Sequence, residues 1–71
     1  MKDSIDLRVE TVSEKLNIST TSCQEIKNRF GYKGTLTIEQ FNVIEKTVEN
    51  IRKRCDKVTL STINWYWERC L

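Results

Sequence analysis

Apolar residues recur along the chain at helical intervals, with polar residues filling the gaps. Ile5, Val9, Val12 and Leu16 stand four, three and four apart, the spacing of one face of an α-helix. Asp6, Arg8, Glu10, Glu14 and Lys15 occupy the other face. Asp3 or Ser4 can cap the start by accepting bonds from orphan N–H groups, which predicts a helix over 4–16. Leu7 falls off the stripe and leaves the start open toward that residue. Cys23, Ile26 and Phe30 form the inward face of a second helix. Ser19, Thr20, Thr21 and Ser22 are its candidate caps; Thr21 with Gln24, and Ser22 with Glu25, fit a capping box. Gly31 suits the position just past a helix end, where φ is positive, and Tyr32 beyond it can fold back on Ile26.

The second half carries two more helical patterns. Thr37 and Gln40 fit a capping box, with Leu36 and Phe41 at the two positions of a hydrophobic staple. Phe41, Ile44, Val48, Ile51 and Cys55 follow as an apolar seam. It is two heptads long, short of what a coiled coil requires, so it predicts core contact with the first two helices. Residues 56–60 read as a short connection. Thr59, Ser61 or Thr62 then caps a last helix running to Arg69 or Cys70. Leu60, Ile63, Trp67 and Cys70 share one face, with Tyr66 and Leu71 near it and Trp65 off it. The expected fold is all-α: one compact four-helix domain over 1–71.

Composition narrows the function classes. A chain of 71 residues buries only about 60% of its unfolded surface, so its stability margin is thin. There is no Pro to break the helices. Net charge is +2, from 12 basic and 10 acidic residues, so any nucleic-acid contact must come from local clustering. The clusters are Arg52, Lys53, Arg54 and Lys57, and a second group of Lys27, Arg29 and Lys33. Solvated helix faces explain them equally well, and the first also suits the negative end of a helix dipole. Three cysteines, Cys23, Cys55 and Cys70, are odd in number and far apart, with no signal peptide before them. That favours a reducing, cytoplasmic setting. With no His and no close Cys pair, neither a zinc site nor an activated thiol is expected. No apolar run approaches a membrane span. No Gly-rich phosphate loop and no paired carboxylates stand in a plausible cleft, so neither an enzyme nor a cofactor or small-molecule substrate is expected.

Between the first two helices lie Asn17 and Ile18. Asn is the non-Gly residue that best tolerates the left-handed conformation of a tight inter-helix turn. Val9, Val12, Ser13, Leu16, Asn17, Ile18, Cys23 and Ile26 fall where helix-turn-helix proteins put their apolar, small and turn residues. Ser13 takes the small-residue position and Asn17 the usual glycine position. The run Leu16, Asn17, Ile18, Ser19 resembles the turn of MerR-like regulators and phage excisionases. Residues 34–41 are similar to the short wing of those families and the helix that follows it; the match covers about residues 9–51.

The resemblance implies double-stranded DNA as partner, with the second helix in the major groove. Ser19, Thr20 and Thr21 would touch phosphate or the first base edges. Gln24 and Asn28, four apart on the outward face, would read bases, since either amide can bond adenine bidentately. Lys27, Lys33 and Arg52 would bind phosphate, while Glu25 on the same helix would repel it. One such module covers a half-site, so a homodimer or a cooperative array is expected. The role implied is transcriptional regulation or excision control, in a phage or other mobile element. The rival is a small phage- or plasmid-type inhibitor or adaptor that captures a protein partner. Trp65 and Tyr66 would be its anchors, as aromatic residues are at interfaces; otherwise the aromatic run completes the core.

Overall fold

The computed structural model describes residues 7–70. They form four helices: α1 (Val9–Leu16), α2 (Thr20–Phe30), α3 (Ile38–Arg54) and α4 (Leu60–Arg69). The all-α, four-helix architecture expected from the periodicity is what the chain adopts. The Asp3 or Ser4 cap, the stripe residue Ile5 and the terminal Leu71 lie outside the described residues.

α1 starts later than its periodicity predicts. Its N-cap is Arg8, extended at φ −86° and ψ 158°. Leu7 is held out of the helix by an antiparallel bridge to Leu36. The Leu7 N–H donates to the Leu36 carbonyl at 2.8 Å, and the Leu36 N–H donates to the Leu7 carbonyl at 2.7 Å. Both side chains are buried. A helical Leu7 could not complete this exchange, so a long-range pair overrides the local pattern. The bridge anchors the loop between α2 and α3 against the start of α1.

Two left-handed residues end the first two helices. Asn17 sits at φ 59° and ψ 46°, and Gly31 at φ 81°. At each, successive N–H groups turn back onto the last carbonyls. Asn17 and Ile18 donate to Glu14 and Ser13, and Gly31 and Tyr32 donate to Asn28 and Lys27. This satisfies carbonyls that a helix end leaves orphaned. Ser13 is buried, with its hydroxyl donating to the Glu10 carbonyl at 2.8 Å; a larger side chain there would push α1 and α2 apart.

The core draws on all four helices. Val12 and Leu16 of α1, Cys23 and Ile26 of α2, Ile44, Val48 and Ile51 of α3, and Ile63 and Tyr66 of α4 form one cluster with Leu7 and Leu36. α3 opens on the expected capping box: Gln40 N–H donates to Thr37 Oγ1 at 3.1 Å, and Thr37 N–H donates to Gln40 Oε1 at 3.0 Å. Its seam buries Ile44, Val48 and Ile51 fully, while Phe41 and Cys55 at the two ends are half-buried. Thr47 is also buried, its hydroxyl returned to the Val43 carbonyl.

α4 departs from its expected face. Ile63 and Tyr66 are its buried residues. Leu60, at the first position of the helix, is 49% exposed, and Cys70 is exposed. Periodicity gives the direction a side chain points, not how much of it a neighbour covers.

Asn17 provides a test. A residue with Cβ and no polar side chain pays about 1–2 kcal/mol in the left-handed region. Asn17→Ala should therefore lower stability by about 1 kcal/mol in a thermal or urea melt, while Asn17→Gly should match or exceed the parent. Equal loss in both variants would show that the turn does not depend on this conformation.

Candidate functional site

α2 divides sharply by exposure. Ser22, Cys23 and Ile26 are buried, whereas Thr20, Thr21, Gln24 and Asn28 are exposed. At about 100° per residue the two groups lie on opposite sides of the helix. The exposed stripe is polar and carries no charge of its own. Ser19 is the N-cap, accepting from the Ser22 N–H at 3.1 Å. The capping boxes expected at Thr21 and Ser22 are not formed, because Ser19 caps the helix and both residues lie inside its first turn; Gln24 and Glu25 meet partners one helical turn on. Gln24 Nε2 donates to Asn28 Oδ1 at 2.9 Å. Arg29 Nε donates to Glu25 Oε2 at 2.8 Å in an ion pair.

The ion pair alters the charge on α2. Glu25, which would repel phosphate, is paired with Arg29. The Arg29 Nη2 also donates to Asn64 Oδ1 on α4 at 3.1 Å, and its guanidinium lies 5.7 Å from the centre of the Trp67 ring. Arg29 thus ties the end of α2 to α4 rather than facing outward.

Two further bonds lock the start of α2. Ser22 Oγ donates to the Val58 carbonyl at 3.0 Å, joining α2 to the connection before α4. Arg52 Nη2 donates to the Asn17 carbonyl at 2.8 Å, joining the last turn of α3 to the turn before α2. Arg52, expected as a phosphate ligand, is therefore also a strut. Beside it is a cleft of about 690 Å³ whose walls include Ser19, Thr21, Arg52 and Lys57. A second cleft, of about 430 Å³, has Thr20, Thr21 and Gln24 on its walls.

Of the residues expected to meet DNA, the structure brings Ser19, Thr20, Thr21, Gln24 and Arg52 together around these two clefts. Asn28 continues the stripe one turn further. Lys27 is half-buried on α2, and Lys33 is exposed in the loop beyond Gly31. Lys57, a member of the basic cluster noted in the sequence, and Leu60, which the pattern does not single out, join the same region. Lys57 stands in a basic run whose tertiary neighbours no local pattern reveals.

The aromatic run of α4 faces a different fate. Tyr66 is buried, and its hydroxyl accepts from Asn50 Nδ2 at 3.1 Å. That removes it from any free surface and corrects its expected role as a partner anchor. Phe30 stacks on Tyr32, with ring centres 5.4 Å apart, and meets Trp67 edge-on at 5.0 Å. Trp67 in turn meets Tyr66 at 5.9 Å. Tyr32 thus rests on Phe30. Trp65 is half-buried against the core.

Cys23 lies at the centre of the buried side of α2, fully enclosed. Burial pushes its thiol above the ordinary value of 9.0; Glu10 adds to the rise and Lys27 opposes it. Raising the value keeps the proton on, and the thiol is a poor nucleophile. Among the described residues no cluster of three or more His, Cys, Asp or Glu could hold a metal ion. No described helix is long and apolar enough to cross a membrane. No protein-family model matches the chain, and neither a curated protein nor a solved structure shows significant similarity to it.

The burial of Cys23 is open to direct measurement. In the native protein at pH 8, alkylation should modify Cys70 quickly and Cys23 only after denaturant is added. Raising the pH from 7 to 9 should leave Cys23 slow, because burial keeps its proton on. Equal native-state rates at the two thiols would place Cys23 outside the core.

Proposed function

We propose that this is a sequence-specific DNA-binding protein acting in transcriptional regulation or in recombination and excision control. In this reading α1 and α2 are a helix-turn-helix, and α2 is the recognition helix. One observation carries it: an uncharged polar stripe stands fully outward on a helix locked at both ends. The locks are the left-handed turn at Asn17, the bond from Ser22 to Val58, and the attachment of Arg29 to α4. Rigid placement of side chains is what base reading needs.

Gln24 and Asn28 would read bases. In the free protein they bond each other, which leaves an amide oxygen of Gln24 and an amide N–H of Asn28 pointing outward. Together these offer the acceptor and donor that the major-groove edge of adenine matches. Ser19, Thr20 and Thr21 would meet phosphate at the start of the helix, with Lys27, Lys33 and Arg52 supplying charge. The pairing of Glu25 with Arg29 supports the reading, because it offsets the one carboxylate on α2. Double-stranded DNA is the partner, and two copies or a cooperative array would cover a full site. The rival role, capture of a protein by the aromatic run, loses support from the burial of Tyr66 and the engagement of Trp67 with Phe30.

Duplex titration at rising salt tests the reading. Micromolar or tighter binding at low salt is expected, with log affinity falling linearly in log salt. No binding under these conditions, or an affinity indifferent to salt, would remove DNA as the partner. On a selected site, Gln24→Ala and Asn28→Ala should each relax base preference by about 1–3 kcal/mol at one position. Unchanged preference in both would remove α2 as the reader.

A further inference from the structure

Two clefts flank the first turn of α2, and their charges are opposite. The larger lies between the turn at 17–19, the end of α3 and the segment 57–60; its charged side chains are Arg52, Lys57 and Asp56. The smaller lies on the α1 side; its charged side chains are Glu10 and Glu25, the latter paired with Arg29. Thr21 and Leu60 line both and form the ridge between them. Of the two, the larger cleft is therefore the more favourable for an anion.

The larger cleft is also fixed in shape. The bond from Arg52 to the Asn17 carbonyl and the bond from Ser22 to the Val58 carbonyl brace two of its walls. A guanidinium carries five N–H donors, so the bond to Asn17 leaves others for a ligand, and the ammonium of Lys57 adds three. Lys57 is exposed and free to turn toward the cleft on its flexible stem.

We propose that the larger cleft seats one backbone phosphate of bound duplex DNA, held by Lys57 and Arg52. This rests on the DNA-binding reading above and adds a ligand outside the helix pair. An α-helix about 10–12 Å across fits a major groove about 12 Å wide, and the cleft opens at the first turn of α2, beside the residues that would meet phosphate.

The test uses the full chain and a selected duplex, with Lys57→Gln and, as control, Lys46→Gln on the exposed side of α3. Melting curves confirm that both variants fold. Lys57→Gln should weaken binding at least about threefold on the selected and on random duplex alike, and lower the salt slope by about one. Lys46→Gln should leave both unchanged. A neutral methylphosphonate scanned along the duplex should identify one position where Lys57→Gln has no further effect. Parent-like binding by Lys57→Gln, or equal weakening by both variants, overturns the phosphate seat; the DNA reading survives if Gln24→Ala still alters base preference. Failure of the parent protein to bind any duplex overturns both.

Discussion

Exclusion of Cys23 and Ile26 from water is the constraint on which the rest of the structure depends. Both are fully buried, against a cluster that includes Val12 and Leu16 of α1 and Ile63 of α4. On a helix, burying one side dictates what the other side shows. The outward position of Thr20, Gln24 and Asn28 is thus a consequence of apolar burial, and needs no contribution from those residues themselves. In a chain of this size the margin is thin, and loss of either side chain would weaken the whole domain while freeing α2 to rotate.

Polar bonds then fix what burial leaves loose. Hydrophobic contact is not directional, and a short helix can slide or roll on an apolar surface at little cost. Four long-range side-chain bonds to named atoms prevent this. Ser22 reaches Val58, Arg52 reaches Asn17, Arg29 reaches Asn64, and Asn50 reaches the Tyr66 hydroxyl. Each joins segments far apart in sequence. Each is worth only about 1 kcal/mol net, yet each selects one arrangement among several of similar burial.

Features that depend on neighbours along the chain are legible in the amino-acid sequence. Asn17 and Gly31 as left-handed residues, and Thr37 with Gln40 as a capping box, follow from local backbone chemistry. The division of α2 into an inward and an outward side follows from spacing alone, and with it most of the candidate site. Features that depend on distant partners are not legible there. The shift of the α1 start to Val9 comes from Leu36; the off-stripe position of Leu7 hints at a later start, but nothing near it names the partner. Leu60 and Cys70 fit an apolar face by position, but the fold leaves both exposed, while Tyr66 is buried and finds a partner in Asn50. Lys57 comes beside the turn before α2 because the fold sets the α3 to α4 connection there, a proximity that no run of adjacent residues encodes.

The bridge between Leu7 and Leu36 has a consequence for the order in which the chain folds. It closes a loop of about 30 residues, for which the entropy of closure is about 3 kcal/mol by the logarithmic scaling of flexible chains. A single pair of hydrogen bonds does not offset that in an unstructured chain. Once α1 and the turn at Asn17 have folded α2 back, the ends of the loop are already near each other and most of the cost has been met. The helix pair should therefore form as an early local nucleus, with the strand-like clasp closing late, as a latch on a unit already assembled.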